Sequence, residues 1–226
     1  MSKIHSNGSA LIVLTSYGLL PSTEVYYRPE IFGEFDKLKE EGKDTQQQLS
    51  AWKRLSLIEA AEFDNVTTVQ IIYNIFRQRP HERFFEMARE KNIGLIIRVP
   101  LASGLLSEQI RQGRPGLLPG DHRFINRSGL MFDRGETFSG VPYDTGLKAV
   151  AKLKELFPGD TQLAHVALQW ILLREEVSCI IPGASSPDQV RSNIGALSFQ
   201  SNRRAEKSPS RAFMRREVKP LVHQLW

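Results

Sequence analysis

Short apolar runs alternate with polar, amphipathic segments along most of this chain, and the alternation predicts strands and helices in turn. Val66–Tyr73 (VTTVQIIY) and Ile93–Val99 (IGLIIRV) are rich in β-branched residues and bounded by turn formers, which predicts two strands. Ala10–Leu14 (ALIVL) and Val177–Ile181 (VSCII) read as buried strands, the second closed by Pro182 and Gly183. Helical spacing separates them. Pro29 opens a helix with Phe32, Phe35 and Leu38 on one face and Gly42 at its end. Arg79-Pro80 leads into a helix carrying Phe84, Phe85 and Ala88, stopped near Asn92. Leu147–Phe157 is amphipathic, and Thr161–Arg174 places Leu163, Val166, Ala167, Trp170 and Ile171 inside. Ile58–Glu62 has the pattern of a helix end, whereas Lys43–Leu55 is polar and Gln-rich and predicts no element. Gln112–Gly146 is a Gly- and Pro-rich connection of a length that is usually functional or disordered. Strands alternating with helices imply a parallel sheet covered by helices.

One junction carries candidate chemistry. Val177–Ile181 turns through Gly183-Ala184-Ser185 into a helix whose N-cap is Ser186, with Pro187 first and Gln189 completing a capping box. Val190, Ile194 and Leu197 follow at i, i+4 and i+7 as its apolar face. A strand that passes through small residues to a helix N-terminus presents unpaired backbone N–H groups, a site suited to phosphate. The local pattern fits an ordinary strand-turn-helix without a ligand equally well.

Length and charge narrow the classes. The 226 residues suffice for one sizeable core, and 41% hydrophobic with 24% charged residues is an ordinary globular balance. The net charge of +5 invites a nucleic-acid reading. It resides between Ser198 and Trp226, where Arg203, Arg204, Lys207, Arg211, Arg215, Arg216 and Lys219 face Glu206 and Glu217; residues 1–197 are neutral overall. This tail has charge but no interleaved aromatics or reading element, so no nucleic-acid partner is expected. Residues 198–226 read as a basic, disordered tail behind a domain of residues 1–197. Cys179 is the single cysteine, expected as a packed strand residue in a reducing, cytoplasmic setting. No apolar run is long enough to span a membrane.

Several segments, in order, resemble the aldo-keto reductase family. They are TEVYYRPEIF (Thr23–Phe32), NVTTVQIIYNIFRQRP (Asn65–Pro80), VPLASGLL (Val99–Leu106) and DHRFINRSGLMFDRGETFSGVPYDTGL (Asp121–Leu147). AHVALQWIL (Ala164–Leu172), IIPGASSPDQVRSNIGAL (Ile180–Leu197) and PLVHQLW (Pro220–Trp226) complete the set. The resemblance implies an α/β chain of (β/α)8 TIM-barrel type, here incomplete, retaining roughly strand four and strands six to eight with their helices. Such barrels typically run to about 250 residues.

The resemblance also implies an NADP(H) site, with NAD(H) an alternative cofactor. Gln70 matches the residue that binds the nicotinamide carboxamide. Leu101, Ser103, Gly104 and Leu106 match the loop that reaches the pyrophosphate. Small residues there let backbone N–H groups approach phosphate oxygens. Arg98 stands where many members stack an aromatic on the nicotinamide. Gly183, Ser185, Gln189 and Asn193 match the segment that holds the adenosine end, where many members carry Lys and Arg at the Gly183 and Gln189 positions. The expected partners are therefore a nicotinamide dinucleotide and, if a full-length form exists, a small carbonyl substrate; an oligomer is compatible with the sequence.

The family's catalytic Asp, Tyr and Lys belong to strands without a counterpart here. Its His would fall near Leu19, where none of His5, His81, His122, His165 or His223 stands. No catalytic residue and no metal ligand is assigned. Stretches 1–9, 44–57 and 198–218 are unlike the family, a pattern that a frameshifted or mis-spliced reading of a full-length ancestor would leave. Three functions follow: a carbonyl-reducing oxidoreductase by inheritance that lacks its catalytic tetrad, a non-catalytic cofactor-binding or regulatory subunit (a pseudoenzyme), and an unstable fragment.

Overall fold

A computed structural model describes residues 16–18, 29–41, 47–50, 58, 61–64, 66–107, 121–127, 129–131, 134–157, 161–198 and 214–225. Five strands, β1 (Ser16–Gly18), β2 (Gln47–Ser50), β3 (Val66–Ile72), β4 (Gly94–Arg98) and β5 (Val177–Ile181), form one sheet in sequence order. Every neighbouring pair is parallel. Besides a single helical turn at His122–Ile125, the α-helices among the described residues are α1 (Pro29–Glu40), α2 (Phe84–Glu90), α3 (Tyr143–Glu155), α4 (Leu163–Leu172), α5 (Pro187–Gly195) and α6 (Lys219–Val222).

The strand period sorts the residues of the sheet. Val69 and Ile71 of β3 and Leu95 and Ile97 of β4 are buried, and the intervening Thr68, Gln70, Gly94, Ile96 and Arg98 are half-buried. Gln70 pairs in register with Ser50 on one side and Ile96 on the other. The buried strand residues share one core with Phe84, Phe85 and Ala88 of α2, Ala149, Val150 and Leu153 of α3, and Leu163, Val166, Ala167 and Ile171 of α4. Tyr73 closes one end, stacked on Trp170 with ring centroids 5.0 Å apart and tilted against Phe85 at 4.7 Å. At Gly146 the helix comes so close to Leu105 that an added Cβ would lie 2.8 Å from its Cδ1, which explains a glycine inside α3.

The structure departs from the sequence reading in four places. First, β2 lies in the Gln-rich stretch where no element was expected. Its residues have weak strand propensity, and it is the parallel pairing with β1 and β3 that makes it a strand. The expected strand Ala10–Leu14 lies outside the described residues. Second, Cys179 is exposed rather than packed, as are Ser178 and Ile181. The reason is topological: β5 is an edge of the described sheet.

Third, Val190, Ile194 and Leu197 form the expected apolar stripe of α5 but are exposed, and no residue of α5 is buried. Fourth, part of the stretch read as a disordered tail packs on the domain. Residues 214–218 form a π-helical turn leading into α6, and Met214, Val218 and Val222, four apart, are buried in the common core.

The Cys179 finding has a direct test. Partial burial pushes the thiol up from its ordinary value, so less of it is thiolate near neutral pH. The native chain should take up one maleimide without denaturant, at a rate that keeps climbing with pH past the ordinary thiol range. Protection until unfolding would contradict the exposed edge.

Candidate functional site

The loop that leaves β4 is built from backbone conformations that side chains resist. Val99 (φ 50°), Ala102 (φ 49°), Ser103 (φ 55°) and Gly104 (φ 95°) all occupy the left-handed region, within six residues. For a β-branched residue such as Val99 this is an outlier, and each non-glycine position costs on the order of 1–3 kcal/mol. A second left-handed turn, Phe138-Ser139-Gly140 (φ 52°, 58° and 75°), lies against the first.

The two turns hold each other. The Ser103 hydroxyl donates to the Glu136 carbonyl at 3.2 Å and accepts from the Phe138 N–H at 3.1 Å. Asn74, fully buried in the loop after β3, stitches them from beneath. Its Nδ2 donates to the Val99 carbonyl (2.9 Å) and the Ser139 hydroxyl (2.8 Å). Its Oδ1 accepts from the Phe76 and Arg77 N–H groups, both at 3.0 Å. Arg98, the last residue of β4, makes a bidentate ion pair with Glu136, Nη2 to Oε1 at 2.7 Å and Nη1 to Oε2.

Opposite these turns stands the N-terminus of α5. The Ser186 hydroxyl accepts from the Gln189 N–H at 3.3 Å, as an N-cap should. The return half of the expected box is shifted by one residue: Gln189 Oε1 accepts from the Ser185 N–H at 2.6 Å and the Ser185 hydroxyl at 3.1 Å. Asn193, one turn on, reaches the Gly183 carbonyl at 3.5 Å. Nothing lies within 4 Å of where a Gly183 Cβ would be.

Between the two sides lies an open cleft of about 860 Å³. Seven of the ten residues singled out from the sequence line it: Leu101, Ser103, Gly104, Gly183, Ser185, Gln189 and Asn193. Three are placed elsewhere. Gln70 is half-buried in the middle of the sheet and does not line the cleft. Leu106 is fully buried, and its N–H closes the turn onto the Leu101 carbonyl at 3.1 Å. Arg98 is engaged with Glu136, which itself lines the cleft.

The structure adds residues the sequence reading did not single out. Arg123 lines the cleft, locked by Asp121, which receives its Nε at 2.8 Å and its Nη2 at 2.5 Å. The hydrogen bond to Asp121 raises the pKa of this guanidinium further, so the cleft keeps a permanent cation. Gln162 and Ser192 sit at the α4–α5 seam, joined by a 3.2 Å bond from the serine hydroxyl. The Asp-x-Arg spacing is visible in the sequence as a local pair. Asn74 is signalled by a polar residue inside the apolar run Ile71–Phe76, a position that requires partners once buried.

Arg98 and Glu136 are each only 16% exposed at the side chain, so their pairing is well shielded from solvent. A double-mutant cycle with Arg98→Met and Glu136→Gln should give a coupling energy of about 1–3 kcal/mol in urea unfolding. Additive single effects would mean the pair does not tie the two loops together.

A model of the aldo/keto reductase family matches residues 19–205, and the chain belongs to that family. Aldo-keto reductase yakc [NADP(+)] of Schizosaccharomyces pombe is 27% identical over 172 residues, covering 74% of this chain and 48% of the relative. A probable voltage-gated potassium channel subunit beta of Oryza sativa is 29% identical over 154 residues, 67% of this chain and 44% of its own. Among solved structures, the holo form of aldo-keto reductase AKR11C1 from Bacillus halodurans superposes with a TM-score of 0.56 at 27% identity, covering 86% of this chain and 56% of that one. The chain thus spans about half the length of the relatives it matches. No helix among the described residues is long and apolar enough to cross a membrane.

Proposed function

We propose that the cleft binds the pyrophosphate and adenosine portion of a nicotinamide dinucleotide, NADP(H) in preference to NAD(H). The reading rests on one observation: the left-handed turn at Ala102–Gly104 and the N-terminus of α5 converge on the same cleft. The small residues of the left-handed turn let a phosphate come close to the backbone, although the Ala102 and Gly104 N–H groups themselves close the turn onto the Val99 and Leu101 carbonyls, and the helix N-terminus adds a partial positive charge. The open space at Gly183 lets a phosphate approach the backbone, and Arg123 supplies a fixed cation. Gln189 and Asn193, one turn apart on α5, would orient the adenosine end. Such a cofactor, when bound, supplies hydride to a carbonyl carbon.

On this reading the chain is part of a (β/α)8 barrel, with β1 to β5 standing for strands four to eight and three strands unaccounted for. It descends from carbonyl-reducing oxidoreductases but lacks a tyrosine general acid with its lysine, aspartate and histidine. It is cytoplasmic. A second reading, a non-catalytic cofactor-binding or regulatory subunit, is favoured by the likeness to a potassium channel beta subunit.

The test is a fluorescence titration of the 226-residue chain with NADPH and NADH. Saturable NADPH binding is expected, weakened about tenfold or more by Gly183→Asp, which sets a carboxylate at the phosphate mouth. No saturable signal with either cofactor would remove both readings.

A further inference from the structure

A second cavity lies away from the cleft, between the loop after β3 and the C-terminal residues 214–223. Its volume is about 210 Å³, several times the ~30 Å³ that one water occupies. Arg77, Arg79, Arg215 and Lys219 line it, together with a single carboxylate, Glu82. Glu82 is already engaged: it receives Lys219 Nζ at 2.8 Å and lies 3.2 Å from His223 Nε2. Arg79 Nη1 donates to the His223 carbonyl, which ties the cavity wall to the C-terminal segment. The Arg79 Nε is buried with no hydrogen-bond partner among the described residues. Lys219 is matched by Glu82, while no carboxylate among the described residues pairs with Arg79 or Arg215, which leaves a positive field in a partly enclosed space. A neutral ligand or a cation would leave that field unanswered.

The wall is also apolar on one side, where Ile75, Phe76 and Val222 are nearly fully buried. We propose that this cavity binds a small phosphate monoester, its dianionic phosphate held by Arg79 and Arg215 and its organic group resting on Ile75, Phe76 and Val222. Guanidinium groups match phosphate geometry in bidentate fashion, and the buried Arg79 Nε is a donor without a hydrogen-bond partner among the described residues. Because residues 214–223 form half of the wall, the bound ester fastens the C-terminal segment to the domain. The site shares no lining residue with the cofactor cleft, so the assignment stands apart from the proposed cofactor.

Isothermal titration calorimetry of the 226-residue chain with phenyl phosphate, inorganic phosphate and phenol tests this. Saturable phenyl phosphate binding is expected, about tenfold tighter than inorganic phosphate because the ring is buried, with no heat from phenol. Arg79→Gln and Arg215→Gln should each weaken it about tenfold, the loss of one charge-assisted hydrogen bond. Arg215 is exposed, and no hydrogen bond among the described residues is lost with it, so this variant keeps the test open if Arg79→Gln unfolds. Excess NADPH should not displace the ester. Absent binding, affinity indifferent to Arg215→Gln, or displacement by NADPH would overturn the site, and equal affinity for inorganic phosphate would overturn its assignment to an ester.

Discussion

Given NADPH and a reactive aromatic aldehyde, the 226-residue chain should oxidise no cofactor above the rate of the protein-free mixture. Carbonyl reduction needs a proton delivered to the developing alkoxide as hydride arrives at carbon, and a positioned general acid is worth about 10²–10⁴-fold by itself. Among the described residues the cleft offers Ser103, Ser185, Gln189, Asn193 and Arg123, with Glu136 taken up by its ion pair with Arg98. These bind and orient, but at neutral pH none is an acid matched to that transfer. Arg98, which ends β4, is engaged with Glu136. Protein-dependent NADPH oxidation that survives repurification and disappears in Gly183→Asp would overturn the prediction and restore a working reductase. Cofactor binding without turnover would favour the binding-subunit reading; neither binding nor turnover would favour a fragment.

Asn74→Ala should be the most damaging single substitution around the cleft. It removes four hydrogen bonds from a fully buried side chain and orphans the Ser139 hydroxyl and the Phe76 N–H, while the Val99 carbonyl keeps the Ala102 N–H and the Arg77 N–H keeps the backbone carbonyl of residue 74. A loss of about 3–4 kcal/mol is expected, a fall in Tm of about 10 °C for a domain of this size. The damage should extend to binding, because Asn74 holds Val99 and Ser139 in left-handed conformations that relax without it. Ser139→Ala, which removes one of the four partners, should cost about 1 kcal/mol. If Asn74→Ala loses no more than Ser139→Ala in urea unfolding, the two turns are held by something else.

Much of the helical architecture was legible because each element carried its own signal. Phe84, Phe85 and Ala88 stand on a helix and are buried, as do Leu163, Val166, Ala167, Trp170 and Ile171. Ser186 caps α5 because a serine before Pro187 is a local device, complete within four residues. β2 was illegible for the opposite reason. Gln47–Ser50 has no apolar alternation, and its strand is defined by partners far away in the chain.

The site divides in the same way. Small residues after β4 and β5 announced two tight backbone turns, which depend on residue type alone. The sequence by itself also determined the α/β alternation and the location of the net charge, since these depend on residue type and spacing. Tertiary structure decided that the two turns, about eighty positions apart, face one another across a cleft. It decided that Gln70 and Leu106 stand outside that cleft, and that Arg98 is matched with Glu136. It left Cys179 and the α5 stripe uncovered because β5 is an edge of the described sheet. Local propensity reports what a segment prefers. Burial, pairing and enclosure depend on which segments meet, and that is a property of the packed chain.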